Sequence, residues 1–292
     1  MSYESIVVAK LLKTADVSPE RIDEIIGGDI SREYRVYYIK KSNGGRRVIC
    51  EPSPDLKKLQ RALLPLVKAA KICEPFATAY EEKCSVKSNA ERHIKSGHIL
   101  HMDIKDFFGS VSRELFENAY SDRLGGGDIA LVWKLVSLNG GLPIGAPTSP
   151  FIANRVMCGI DKRLGKLSLF VKYTRYADDM IFSSRFWLKG SLSGRVAAVV
   201  GRAGFKINQK KTYFMSGRRE VTGIIITDKR ELSVGTAYKK NLKKDIYNLL
   251  KKNTGKKDVV RGKFAHLKHI EPGYAEIIKQ KYLAIDAIGF FK

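Results

Sequence analysis

Nowhere in the 292 residues does an apolar run approach the roughly 20 residues needed to cross a bilayer. Acidic Glu4 precedes the first apolar stretch, and no small-residue cleavage site follows it, so a secretory leader is not expected and the chain reads as cytoplasmic. Cysteine is scarce. Cys50, Cys73, Cys84 and Cys158 stand too far apart for a CxxC zinc pattern and read as free thiols, several of them buried. A chain this long can form one large core or two to three subdomains; internal repeats and low-complexity linkers are missing, so subdomains are expected to pack closely. The largest deficit is of negative charge: 30 Asp and Glu stand against 53 Lys and Arg, a net charge of +23. Self-repulsion of that size is relieved by an acidic polymer, which points to nucleic acid without choosing an activity.

The hydrophobic fraction, 44%, is that of a globular protein, and its patterning predicts mixed helices and strands. Residues 1–30 read as two short helices, the second opened by Ser18-Pro19-Glu20 and stopped by Gly27-Gly28. "EYRVYYIKKSNGGRRVICEP" reads as a hairpin turning at Ser42-Asn43-Gly44-Gly45, with Lys40 and Lys41 before the tip and Arg46 and Arg47 after it. Residues 55–72 predict an amphipathic helix interrupted or kinked near Pro65. "HILHMDIKDFFGSV" begins as a strand ending in Asp103, with Asp106 expected to begin the next helix. The glycines at 125–127 read as a loop, "GGLPIGAPTSPFIANRVMCGIDKRL" as a Gly/Pro loop entering a long helix, and "REVTGIIITDKRELSV" as a hairpin. The stretch from 236 to 290 reads as helical and strongly basic.

"YTRYADDMIFSS" puts Asp178 and Asp179 in a tight turn between β-rich arms. Alone, such a doublet reads as a solvated loop; its apolar flanks and the second strand ending in Asp103 argue otherwise. Three carboxylates brought together repel one another by several kcal/mol unless cations separate them. Two divalent ions about 3.5–4 Å apart turn that repulsion into affinity and suit phosphoryl transfer. Oxygen ligands without a nearby His or Cys favour Mg²⁺ or Mn²⁺ over zinc.

With these residues in view, the chain resembles the reverse transcriptases. "YADD" resembles their palm signature, "HMDIKDFF" the strand carrying the first catalytic Asp, and "GLPIGAPTSPFIAN" the loop and helix beneath template and nucleotide. "NAERH" (89–93), "GFKINQKKT" and "VTG" (221–223) are similar to motifs of the retron branch. The resemblance spans roughly residues 30–290. It implies an α+β right-hand polymerase with fingers, palm and a short helical thumb: an N-terminal helical extension at 1–30, fingers at 31–97, palm with an interleaved fingers segment at 98–230, and thumb at 231–292. It implies that Asp103, Asp178 and Asp179 are catalytic metal ligands, joined by the backbone carbonyl of Ile104. Phe108 matches the steric gate that excludes a ribose 2′-hydroxyl. Arg47 and Lys57 match fingers cations on the triphosphate, and Gly145 and Ala146 lie where backbone approaches the nucleotide. Lys211, beside Lys210, matches the donor of a proton to pyrophosphate.

The loop departs from the family at Ile144, where a Gln is usual, and Ile cannot supply the amide's hydrogen bonds. Polymerase activity with altered fidelity or nucleotide affinity is the expectation. The resemblance also implies contacts to RNA or nascent DNA from Asn89, His93, Val221, Thr222 and Gly223. Lys239, Lys240, Lys243, Lys244 and Arg261 would face the template-primer. It implies dNTP substrates, a cognate structured noncoding RNA copied from a guanosine 2′-hydroxyl into branched DNA, and a separate effector protein in anti-phage defence. The stretch after residue 231 reads as too short for a maturase region or a fused nuclease. Two other readings stay open: a group II intron-like enzyme, and a non-catalytic RNA-binding protein on a polymerase fold.

Overall fold

The computed structural model describes residues 5–40, 44–68, 75–286 and 288–291. Helices α1 (Ile6–Thr14) and α2 (Pro19–Gly27) each start on a serine whose hydroxyl accepts a first-turn N–H, Ser5 from Val8 and Ser18 from Arg21. A 3₁₀ turn (Ile30–Glu33) leads into an antiparallel hairpin, β1 (Tyr34–Lys40) with β2 (Arg46–Pro52), in which Lys40 faces Arg46. Lys41, Ser42 and Asn43 of its tip, like Cys73, lie outside the described residues; Gly44 follows with φ +82°. Helix α3 (Pro54–Lys68) continues past Pro65, so the expected interruption does not occur within it. The three described cysteines, Cys50, Cys84 and Cys158, are half-buried rather than buried.

Next come α4 (Val86–His93), β3 (His98–Lys105), α5 (Arg113–Tyr120), α6 (Gly126–Val136), α7 (Ser149–Gly165), β4 (Lys172–Tyr176), β5 (Asp179–Ser184) and α8 (Ser191–Arg202). Two expectations are corrected here. Asp106 begins no helix: it sits at φ +47° in a turn, and α5 starts at Arg113 on the hydroxyl of Ser112. Gly126 and Gly127 are the first residues of α6 rather than loop, with Gly125 as its cap. Short strands β6 (Lys206–Ile207) and β7 (Tyr213–Met215) follow, separated by a 3₁₀ turn (Gln209–Lys211). The segment expected to form one hairpin is a three-stranded meander, β8 (Arg219–Val221), β9 (Ile224–Ile226) and β10 (Leu232–Ser233). Helices α9 (Thr236–Lys252), α10 (Lys257–Ile270) and α11 (Pro272–Leu283) close the fold.

The central sheet runs β4-β5-β3, with β6 and β7 both pairing along the far side of β3. Strand side chains alternate between faces, so this register decides where the chemistry goes. Leu100, Met102, Ile104, Met180 and Phe182 enter one core with Leu59 and Leu63 of α3, Ile152 and Met157 of α7, and Val196 of α8. The intervening residues face the other way. Ile99 and Ile181 join a second core with Ala90 of α4, Val221 and Ile224 of the meander, and Leu242, Leu267 and Ile278 of the three C-terminal helices. His101, Asp103 and Asp179 share the alternation of Ile99 and Ile181, at the end of the sheet that this second core leaves uncovered.

Candidate active site

Asp103 and Asp179 are directly opposed in the β3–β5 register, and Asp178 occupies the two-residue turn from β4 to β5. Ala177 opens that turn at φ +56°, a conformation that L-residues seldom adopt without support. The support is a buried guanidinium. Arg175 donates to the Ala177 carbonyl and to Asn154 Oδ1, both at 3.0 Å, and pairs with Asp161 through Nη2 at 2.7 Å and Nε at 3.0 Å. Tyr173 donates to the same carboxylate at 2.7 Å, and Arg175 and Asp161 are both fully buried. At the strand end, the Ile104 N–H donates to the Asp178 carbonyl at 3.0 Å.

The three acids feel one another. Burial first, then the charges of Asp179 and Asp103, push the Asp178 carboxyl up to about 6. Asp103 is 2% exposed; Asn208 donates to its Oδ1 at 2.9 Å and Lys211 Nζ lies 2.5 Å from Oδ2. That bond raises Lys211 above the ordinary lysine range, and it separates Lys211 from its neighbour Lys210. His101 Nε2 lies 3.1 Å from Asp179 Oδ1, and Nδ1 3.0 Å from the Lys211 carbonyl. Burial pulls His101 down, but its bonds to Asp179 and the Lys211 carbonyl outweigh it, for a net upward shift. Among the described residues no three His, Cys, Asp or Glu side chains already converge as a finished cage. The donors nevertheless fit hard divalent cations. They are carboxylate oxygens that repel one another, and Asp103 and Asp179 are each held by a basic side chain.

Around this centre, the "GLPIGAPTSP" loop is fastened to the first hairpin: the Cys50 N–H donates to the Ile144 carbonyl at 2.8 Å. Gly145 has φ +128°, and a Cβ there would lie 2.7 Å from the Cys50 carbonyl, so only glycine allows this approach. Ala146 is buried beside it, and the Ile144 side chain is half-buried. The Leu142 N–H donates to the Phe108 carbonyl at 3.0 Å. Phe107 is buried in the core and Phe108 only partly so, which leaves Phe108 as the ring with a free edge. Arg47 is exposed on β2; burial and then Asp178 raise the Tyr80 phenol while Arg47 opposes them, so Arg47 and Asp178 act on one locality. Lys57, on α3, lies 3.9 Å from Glu51 of β2.

Several expected nucleic-acid contacts are corrected by burial. Asn89 and His93 are wholly buried, on the α4 face that packs on the sheet. A directed hydrogen-bond chain runs from the Ser96 hydroxyl to Ser183 (2.9 Å), Ser183 to His93 Nδ1 (2.6 Å), His93 Nε2–H to Thr174 (2.7 Å), and Thr174 to Asn89 Oδ1 (2.6 Å). Val221 is buried against α4 in the second core. Of the triplet only Thr222 (φ +48°) and Gly223 (φ +81°), at the tip of the β8–β9 turn, reach the surface. Thr222 also lies 3.5 Å from the carbonyl of Val86, which precedes "NAERH" on α4, and Val221 shares the second core with Ala90 of that motif, so the two short motifs pack together. Lys239 is likewise engaged, 2.5 Å from Glu271 and over the Tyr274 ring, fastening α9 to α11. Lys240, Lys244 and Arg261 are exposed, and Lys243 partly so.

Sequence reasoning misses the roles of His101, Asn208, Arg175, Asp161 and Asn154. Four of them lie inside motifs it does single out: His101 in "HMDIKDFF", Asn208 in "GFKINQKKT", Arg175 in "YTRYADD" and Asn154 in "GLPIGAPTSPFIAN". Asp161 carries no local signal; 14 residues of chain and the fold itself separate it from Arg175.

Comparison with known proteins agrees with this geometry. The family described as reverse transcriptase (RNA-dependent DNA polymerase) matches residues 39–226. The Retron Ec83 reverse transcriptase of Escherichia coli is 28% identical over 89% of this chain and 90% of its own length. The Retron Ec73 enzyme of the same organism is 32% identical, over 84% and 85%. The Retron Ec86 enzyme, also from E. coli, is 30% identical over 78% and 74%. Apo telomerase from Candida tropicalis superposes with a TM-score of 0.52 at 12% identity, over 86% of this chain and 57% of that one, a likeness of fold alone. The fold is the right-hand polymerase fold, and the chain belongs to the reverse transcriptases, within them to the retron reverse transcriptases. It is an RNA-directed DNA polymerase, acting on an RNA template with dNTPs. Among the described residues no helix is long and apolar enough to cross a membrane.

Proposed function

We propose that this enzyme copies part of its own structured noncoding RNA into multicopy single-stranded DNA, priming from a guanosine 2′-hydroxyl and leaving a branched RNA–DNA product. The observation that carries the catalytic part is the opposition of Asp103 and Asp179 with Asp178 in the turn beside them. Reverse transcriptases use divalent metal ions, and here Asp103, Asp178, Asp179 and the Ile104 carbonyl would hold two Mg²⁺, or Mn²⁺. When bound, such ions lower the pKa of the attacking hydroxyl and neutralise the triphosphate.

The chain's own residues then have separable tasks. Arg47 and Lys57 hold the triphosphate, Arg47 through its planar fork. The Phe108 ring closes the space a ribose 2′-hydroxyl would occupy. Gly145 and Ala146 bring backbone against the nucleotide, and Lys211 carries a proton within reach of the departing pyrophosphate. His101 and Asn208 orient Asp179 and Asp103. We assign fingers to 31–97, palm to 98–230 and thumb to 231–292, with Lys240, Lys243, Lys244 and Arg261 on the template-primer. The retron part rests on the relatives and on the packing of "NAERH" against "VTG". The role extends to cytoplasmic anti-phage defence alongside a separate effector. Nucleic acid copurified with the enzyme, after co-expression with its neighbouring noncoding RNA gene, tests the product. A 2′–5′ debranching enzyme is expected to shorten it to linear DNA. DNA with no RNA attached, unchanged by debranching, would refute the priming reading.

A further inference from the structure

The end of the sheet remote from the aspartates carries an unassigned surface. The six residues of β5, Asp179 to Ser184, span on the order of 17 Å. At that end the α7–β4 and β5–α8 connections meet. Leu169 is 100% exposed, Phe170 73%, Phe186 67% and Trp187 71%. The Phe170 and Phe186 rings meet edge to face at 6.2 Å, and Trp187 stands edge-on to His98 at 5.2 Å. The rings are therefore held near one another without being covered. Phe170 and Phe186 border a groove also lined by Lys95, Lys172 and Arg185, all exposed, and among the described residues no carboxylate lines it. The sequence explains the one-sidedness: between Asp161 and Glu220 the only acids are Asp178 and Asp179, and Asp161 is buried on Arg175.

Exposed apolar side chains gathered in one place mark a contact surface. A protein partner and a nucleic acid would both cover rings, but the cation-lined, acid-free groove selects the polyanion. Aromatic faces beside a basic groove are what unpaired bases stack on, because every base offers a π-face whatever its sequence. A duplex, whose bases are already stacked, gains nothing from such rings. We propose that this distal surface is a second nucleic-acid site. It binds an unpaired stretch of RNA or DNA, with bases on Phe170, Phe186 and Trp187 and phosphates on Lys95, Lys172 and Arg185. It is independent of the catalytic metals and goes beyond the polymerase reading.

Three proteins test it: the full-length wild type, Phe170→Ser/Phe186→Ser/Trp187→Ser, and Lys95→Ala/Lys172→Ala/Arg185→Ala. The substituted side chains are exposed, and circular dichroism checks that the fold is kept. Fluorescence anisotropy with labelled oligo(dT), oligo(U) and a blunt RNA–DNA duplex reads affinity. The aromatic variant is expected to bind single strands about tenfold more weakly, with duplex binding and extension of a short primer-template unchanged. The cation variant is expected to lower the log–log salt slope for single strands by about 2. Weakening of only oligo(dT) or only oligo(U) also supports the site and names its strand. Unchanged single-strand affinity in both variants overturns it. So does an unchanged affinity coupled to altered self-association in sedimentation, which would make the face a protein interface.

Discussion

Two buried charges, Arg175 and Asp161, decide whether Asp178 is correctly presented. Arg175 donates to the carbonyl of Ala177, the residue at positive φ just before Asp178, while its charge is balanced inside the core by Asp161. Removing one member strands the other in a low-dielectric interior, so Arg175→Met or Asp161→Leu alone is expected to cost about 3–5 kcal/mol in urea unfolding. The double variant should recover part of that stability but not the turn, and its extension rate should stay low. Recovery of both would show that the pair only fills space. His93 gives a pH signature. Burial above all, then Lys172 and Arg92, pushes it down to about 3, and the chain of hydroxyls leaves its Nδ1 as an acceptor. A histidine depressed in the folded state contributes stability that is complete above its unfolded pKa near 6.5 and is lost as pH falls below it. Between pH 7.5 and pH 5 the loss attributable to His93 is about 2 kcal/mol. The measurement is the difference in urea stability between those two pH values, which His93→Gln should reduce by that amount.

At the scale of elements, the strands and helices that repeat a hydrophobic period are legible in the sequence: both N-terminal helices, the first hairpin, β3, the β4–β5 turn and the basic C-terminal helices. The misses have local causes. Asp106 follows a strand and precedes "SRELF", yet Ser112 is the better cap, so the residues between form a turn in which Asp106 takes positive φ. Gly126 and Gly127 are poor helix formers held in α6 by the burial of Ile129, Val132 and Trp133. The site was legible as far as its carboxylates, because they stand in strand-and-turn patterns. Its supports were not. Asn89 and His93 have the spacing of a solvated helix turn, and only partners 81 to 90 residues away reveal a buried face. Lys239 reads as one more thumb cation until Glu271, 32 residues on, takes it. Ile144 looked like a gap in the catalytic pattern, yet its carbonyl makes the bond that closes loop onto hairpin, a task any side chain permits.

Across the whole molecule, the +23 charge meets the catalytic centre through surfaces of different kinds. On α9 the outward positions Lys240, Lys244 and Lys251 follow a helical 4-3-4 spacing through Tyr247, while Leu242, Ile246 and Leu249 face inward. Lys240→Ala/Lys244→Ala/Arg261→Ala should lower the salt slope of duplex binding by about 2–3 with little loss of stability. Lys239→Ala should do the reverse: it destabilises by about 1–2 kcal/mol through loss of the Glu271 pair and barely moves the slope. Filter binding over a salt series and urea unfolding separate the two. The acids are the exception in this basic chain, and their mutual repulsion is a cost the fold carries for its chemistry. Removing Asp178, whose carboxyl burial and the other two acids push up, should therefore stabilise the metal-free protein while ending its activity. The most direct measurement is primer extension on an RNA template by wild type and by Asp178→Asn, with urea unfolding of both in EDTA. The account predicts extension by wild type alone and an Asp178→Asn protein more stable by about 1–3 kcal/mol at pH 7.5. Equal extension by the two proteins would contradict it.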